Sequence, residues 1–248
     1  MKKHILLTWF AVLSVSLQAQ QIMIVKTKGN TQNEFNVSSI RKITFRSSLE
    51  IPGDSTIVHL SCPDGHHPHP IDLGLPSGTK WACCNLDASL PEEYGGYYAW
   101  GETEEKLSYD WENYRHYDAA TEHSVYIGDD IAGTEYDVAT VKWGDPWRLP
   151  SSEMFQEFID NCTSEWTSLN DVNGYLFTGS NGATVFFPAA GGCLYDEFLM
   201  DGRDGYYWAS TLDPENGDQA YHLSFRSPFV QLQYAFHFLG LSVRAVCP

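Results

Sequence analysis

Basic side chains are scarce. Fifteen Lys and Arg face 32 Asp and Glu across 248 residues, a formal net charge of −17. Displacing counterions from a phosphate backbone needs clustered positive charge, so a nucleic-acid partner is disfavoured. Anionic lipid headgroups would repel the same surface. Catalytic signatures are missing as well. The chain has no G-x-S-x-G elbow, no G-x-x-x-x-G-K-[ST] phosphate loop, no G-x-G-x-x-G and no H-E-x-x-H. C-x-x-C spacing is also absent, which removes the usual zinc-ribbon and thioredoxin-like readings. Apart from the N-terminus no long apolar run occurs, so membrane insertion of the mature chain is not expected.

Aromatic residues, by contrast, are abundant. Phe, Tyr and Trp make up 14% of the chain, more apolar surface than a disordered protein carries. The N-terminus has export-signal character: Met1-Lys2-Lys3-His4 precedes a mostly apolar run from Ile5 to Leu17, then Gln18-Ala19-Gln20. We expect residues 1–20 to be a signal peptide. Its removal takes Lys2 and Lys3 with it, moving the formal charge from −17 to −19. The mature chain is then expected to be secreted or displayed at the cell surface. In that oxidising setting Cys62, Cys83, Cys84, Cys162, Cys193 and Cys247 default to disulfides, although sequence does not choose among their pairings. Cys83 and Cys84 are adjacent and are not expected to bond each other.

Three parts follow the signal. Residues 21–46 form a small β unit, with an apolar strand Gln21–Lys26, a turn at Lys28-Gly29-Asn30 and a short segment ending in Ile43-Thr44-Phe45. Residues 47–70 are a linker rich in Pro, Gly and His. Residues 71–248 are the main domain. Within it one helix stands out, opened by Ser151-Ser152-Glu153, carrying Phe155 and Phe158 on one face and ending near Cys162. The rest is short alternating stretches between turn residues, with Asn173-Gly174 and Asn181-Gly182 as hairpin signals. The pattern predicts an α+β fold.

Metal sites are weakly indicated. His66-His67-Pro68-His69 lies in the linker and has no rigid frame, so ordinary linker chemistry explains it. Asp213-Pro214-Glu215-Asn216-Gly217-Asp218 offers hard oxygens that could take calcium, but turn chemistry accounts for the same residues. No cofactor is otherwise expected. The stretch from Ser227 to Leu241 is more informative, because it crowds large apolar residues without clean alternation. It is either a strand buried on both faces or an exposed aromatic patch, and such patches mark binding sites.

Several stretches together resemble the Fibrobacter succinogenes major paralogous domain family, in the formylglycine-generating-enzyme-like branch of C-type lectin folds. The carriers are Asp72–Ala82, Gly95–Thr103, Trp143–Pro150, Asn173-Gly174-Tyr175, Phe187–Gly191, Gly205–Ser210 and Gly240–Val246. The resemblance implies one or two helices with many short antiparallel strands and long loops. It implies a disulfide between Cys162, ending the helix, and Cys247 in the last strand; such closure would contribute roughly 4–5 kcal/mol. Trp147, Arg148, Trp208 and Arg244 are read as framework on their own chemistry, since buried Trp and Arg need partners and can pin loops. Members are mostly secreted or surface proteins without known catalysis, and the reactive cysteine pair of the formylglycine-generating enzymes has no counterpart here. Gly240-Leu241-Ser242-Val243-Arg244-Ala245-Val246 further resembles the framework that follows the variable residues in diversity-generating retroelement proteins. The expectation is therefore a non-catalytic binding protein for an extracellular protein or glycan. Its candidate ligand residues are Arg226, Phe229, Gln231, Gln233, Tyr234, Phe236, His237 and Phe238. The alternatives are a structural or fimbrial surface component, associating through the N-terminal strand, and an enzyme of the formylglycine-generating type.

Overall fold

A computed structural model describes residues 22–26, 32–36 and 68–248. The chain divides into two units, residues 1–57 and residues 58–248. In the first, β1 (Ile22–Lys26) pairs antiparallel with β2 (Gln32–Asn36), with Ile22 opposite Asn36. The second strand is thus Gln32–Asn36. The expected signal, the turn at Lys28-Gly29-Asn30, the segment at Ile43-Thr44-Phe45, most of the linker with His66 and His67, and Cys62 all lie outside the described residues.

The second unit is assembled from small antiparallel sheets. β4 (Lys80–Ala82) sits between β3 (Pro70–Asp72) and the terminal β16 (Val246–Cys247). A short β5 (Tyr117–Asp118) pairs with β6 (His123–Ser124). β7 (Thr163–Leu169), β8 (Val172–Thr178) and β9 (Thr184–Pro188) form a meander. β10 (Gly192–Leu194) sits between β11 (Glu197–Leu199) and β15 (Gly240–Leu241). The longest strands, β12 (Asp204–Leu212), β13 (Gln219–Arg226) and β14 (Phe229–Phe236), make a sheet in that order, with β14 at its edge. With two helices among the described residues, the architecture fits an α+β or mainly-β class. None of those helices is long and apolar enough to cross a membrane.

Helix α2 (Ser152–Asn161) forms where its caps and face predict. The Ser151 hydroxyl accepts from the Met154 amide at 3.3 Å, satisfying one of the unpaired donors of the first turn. Phe155 and Phe158 are fully buried against Trp81, with ring centroids 5.1 and 4.5 Å away. Helix α1 (Val138–Trp143) is an addition to the expected scheme. Asp137, completely buried, caps it by accepting from Ala139 and Thr140, and its other oxygen accepts from Gly133 and Leu149. Gly144 ends it at φ +77°.

One turn is displaced. Asn181-Gly182 does close the β8–β9 connection, with Gly182 at φ +83°. Asn173-Gly174, however, lies inside β8, and the β7–β8 hairpin turns at Asn170 and Asp171, φ +49° and +65°. Two consecutive positive φ values are what a tight type I′ hairpin requires, and Asn and Asp tolerate them. Gly174 serves packing instead: a Cβ there would collide with the Phe187 carbonyl oxygen, the Phe186 ring and the Pro188 Cα.

Strands β12 and β13 are covered on both faces. Tyr207, Leu223 and Phe225 pack with Trp81, Phe155, Phe158 and Phe187 in one cluster. The neighbouring Trp208 points the other way, into a second cluster with Trp100, Trp147, Ile131 and Val243. Period-2 alternation along one strand thus feeds two cores. The implied Cys162–Cys247 disulfide is not formed; both thiols are unbonded. The reason is their layer: Cys162 packs against the first cluster and Cys247 against the second. Cys83 and Cys84 hold their sulfurs 3.8 Å apart, far beyond a bond length of about 2.05 Å.

Candidate functional site

Of the four residues expected as framework, Trp147, Trp208 and Arg244 are buried and Arg148 is half-buried. Arg244 is fully buried, donating from Nε to Asn85 Oδ1 (2.8 Å), from Nη1 to the Ala82 carbonyl (2.9 Å) and from Nη2 to the Phe186 carbonyl (2.8 Å). Its guanidinium lies over the Phe187 ring at 4.4 Å. Trp208 donates its indole N–H to the Tyr98 carbonyl at 2.7 Å. Trp147 packs in the second cluster, and the Arg148 backbone bridges to Val246. These contacts tie the last strand to three other segments.

The expected ligand residues do not form one patch. On β14 the exposed residues include Phe229, Gln231, Gln233, Tyr234 and Phe236. Antiparallel register sets Phe229 opposite Arg226, whose guanidinium is 6.0 Å from the ring, and Gln231 opposite Ser224. Gln233 stands opposite His222. Tyr234 stands opposite Tyr221 and donates its hydroxyl to Tyr221's at 2.9 Å. His237 is 1% exposed and is not among the residues lining the cleft described below. Its ring stacks on Trp100 at 4.4 Å, and its Nδ1 lies 3.0 Å from the Ser124 hydroxyl. Burial lowers its pKa to about 4, so it is a neutral core residue. Phe238 is half-buried against Trp111 at 4.7 Å, which removes it from the exposed set too.

Ser124 and His237 belong to a latch. Asp218 accepts from the Ser124 amide at 2.6 Å and pairs with His123 Nδ1 at 2.6 Å, holding the β5–β6 hairpin on the loop before β13. Asp213 accepts from the Glu215 amide and Asn216 from the Asp218 amide, so these oxygens turn onto backbone instead of converging. Among the described residues no group of three His, Cys, Asp or Glu could hold a metal ion.

What the sheet does build is a cleft of about 340 Å³ between β12–β14 and the β11-β10-β15 sheet. Leu194, Leu199 and Leu241 line one side, and Tyr206, Gln219 and His222 line the other. Tyr234 and Phe236, 45% and 42% exposed, also contribute to its lining, although the Tyr234 ring packs on Tyr221, which alternates with His222 along β13. The lining carries no Asp, Glu, Lys or Arg. The Tyr206 hydroxyl donates to Asp204 at 2.8 Å, and burial together with that carboxylate raises its pKa to about 12. His222 is 4% exposed, and its Nδ1 is sealed from solvent without a hydrogen-bond partner. Burial pushes its pKa down to about 4, so the ring is neutral at physiological pH.

Two of the expected residues, Tyr234 and Phe236, thus meet at this cleft, whereas Gln219, His222, Tyr206 and the leucines escaped sequence reading. His222 sits in the alternating stretch Tyr221–Phe225, at an inward position where an apolar residue is the rule. That anomaly was its signal.

Fold and site together define a loop-rich protein of small antiparallel sheets enclosing an uncharged, mostly apolar cleft. Comparison with protein-family models, with curated proteins and with solved structures finds no match to this chain.

Proposed function

We propose that this chain is an exported, non-catalytic ligand-binding protein on a C-type lectin-like scaffold of the formylglycine-generating-enzyme-like branch. The observation that carries the reading is an uncharged cleft lined by Phe236, on a strand that also exposes Tyr234. Rigid aromatics offer large contact area at small entropic cost, which is what recognition surfaces exploit. Against the oxidase alternative, Cys162 has its pKa raised to about 11 by burial, so little thiolate forms there.

Host-protein pull-down and glycan-array screening of wild type beside the Tyr234→Ala/Phe236→Ala double variant tests this. Phe238 stays in place because it packs on Trp111. We expect at least a tenfold loss of binding with an unchanged circular dichroism spectrum. Binding that survives intact in the folded variant sinks the assignment.

A further inference from the structure

The cleft holds a polar group that the protein leaves unsatisfied. A buried imidazole nitrogen without a partner costs free energy, and native proteins rarely keep one without a reason. His222 lies on the cleft wall, flanked by the Tyr206 ring at 5.8 Å and the Trp208 ring at 6.2 Å. The flanking strands supply no partner for its Nδ1: Gln233 stands opposite on β14 but is exposed, and Trp208 stands opposite on β12 with its indole N–H committed to Tyr98.

We infer that this cleft binds a free small molecule: a neutral one- or two-ring compound bearing a single hydroxyl that hydrogen-bonds His222. The inference deepens the binding reading above and rests on it. Volume sets the ring count. A cavity of roughly 150 Å³ accommodates one benzene-sized ring, so about 340 Å³ takes two fused rings. Composition sets the charge. With no ionised side chain in the lining, a charged ligand would shed its hydration shell and find no counter-charge. The same argument disfavours a sugar inside the cleft, because the hydroxyls of Tyr206 and Tyr234 are already donating to Asp204 and Tyr221. His222 sets the polar handle. A neutral imidazole has one donor and one acceptor nitrogen, so the ring nitrogen that the cleft meets is of one kind or the other according to the tautomer. A hydroxyl both donates and accepts, so it satisfies either tautomer. Leu194, Leu199 and Leu241 would then cover the rings, and Phe236 would close over them.

Three probes separate these terms on the full chain at pH 7: 2-naphthol, naphthalene and 2-naphthoate, each titrated by calorimetry. We expect 2-naphthol to saturate one site, naphthalene to bind at least tenfold more weakly, and 2-naphthoate at least a hundredfold more weakly. His222→Phe should bring naphthol and naphthalene to within about twofold, and His222→Asn should keep part of the preference. If the Phe variant does not fold, the ¹⁵N resonances of His222 in wild type serve instead. They should move on adding 2-naphthol, and resonances that stay fixed overturn the inference. It is equally overturned if 2-naphthoate binds as well as 2-naphthol, or if a folded His222→Phe keeps the naphthol preference. N-acetyl-tryptophanamide binding more tightly than 2-naphthol would assign the cleft to a partner's side chain and overturn the small-molecule assignment. Should all probes fail while the Tyr234→Ala/Phe236→Ala variant still loses its macromolecular ligand, the cleft inference falls and the binding reading stands. Should the probes bind while that double variant changes nothing in the screens, the macromolecular reading falls alone.

Discussion

Replacing Arg244 by Met keeps the length of the side chain and most of its apolar contact with Phe187, but removes every donor. Three buried oxygens, on Asn85, Ala82 and Phe186, then lose bonds of 2.8–2.9 Å. Each buried acceptor left without a partner costs roughly 1–3 kcal/mol. Against this stands the relief of no longer burying a guanidinium, itself several kcal/mol in the idealised case. Measured cases in which one side of a buried charged arrangement is removed settle near 3–5 kcal/mol of destabilisation, and we expect about 4 kcal/mol here. Arg244→Lys should cost about half as much. An ammonium on a flexible stem can reach one or two of the oxygens, but not all three in fork geometry. Urea unfolding followed by tryptophan fluorescence reads the difference directly. With a slope of about 2 kcal/mol per M, the Met variant should unfold about 2 M earlier than wild type. A Met variant within about 0.3 M of wild type, with Lys no better than Met, would refute the reasoning. It would mean that water reaches those oxygens, and that Arg244 does not hold the last strand in place.

Acid should destabilise the protein through its buried histidines. Burial lowers the pKa of His222 and of His237 to about 4, whereas the unfolded value is about 6.5. Between those values the unfolded chain binds more protons, so stability falls as pH drops. From pH 6.5 to 5 each should contribute a loss of about 2 kcal/mol, visible as a falling urea midpoint that His222→Phe makes shallower. The exposed His123, its pKa raised by Asp218, works in the opposite sense: its contribution is present at low pH and is lost as pH rises through its folded value. A midpoint independent of pH over that window would contradict the burial of both rings. Gly174→Ala should destabilise by about 2–3 kcal/mol, since the new methyl meets backbone on Phe187 and Pro188 that cannot swing away. The same change at Gly182 should cost less, through φ strain alone, because a Cβ there meets nothing. Thermal melts of the two variants give the order, and Gly182→Ala proving the worse would be the wrong order.

Local rules carried part of this fold and stopped where partners are distant in sequence. α2 was legible because its signal is self-contained: the Ser151 hydroxyl reaches an amide three residues on, and Phe155 and Phe158 repeat on one face. α1 was not, because six residues are too few for a period, and its cap, Asp137, is fixed by Leu149 twelve residues away. The β7–β8 turn was misplaced because Asn-Gly is the stronger local signal, while the reason for Gly174 is the backbone of β9. β14 read as unpatterned because it is an edge strand, with half-exposed residues on both faces. The cleft draws on residues from Gly192 to Leu241, on six strands and the turn before β15. No short window contains it, and only Tyr234 and Phe236 were found from sequence.

Arg244 and His222 make an informative contrast, since both are polar side chains buried to within a few per cent in the same unit. Arg244 carries a full charge, yet has a carbonyl or amide oxygen set before each of three nitrogens. The fold can therefore satisfy a demanding polar group where satisfaction is the purpose. His222 asks for far less, a single partner for a neutral ring, and its Nδ1 receives none. Packing alone does not explain that neglect, because Phe at the same position would fill the space and lose no hydrogen bond. Trp81, Arg148, Ser210, His237 and Ser242 also bury a polar atom without a partner, and of these residues only His222 lines the cleft, which is why we propose that its compensation comes from a ligand there. If so, occupancy should stabilise the protein by more than the ring burial alone provides. The shift in melting temperature on adding saturating 2-naphthol should therefore exceed that with naphthalene in wild type, and the two should coincide in His222→Phe. Equal shifts in wild type would show that the nitrogen stays unsatisfied when the cleft is full, and the contrast with Arg244 would carry no functional meaning.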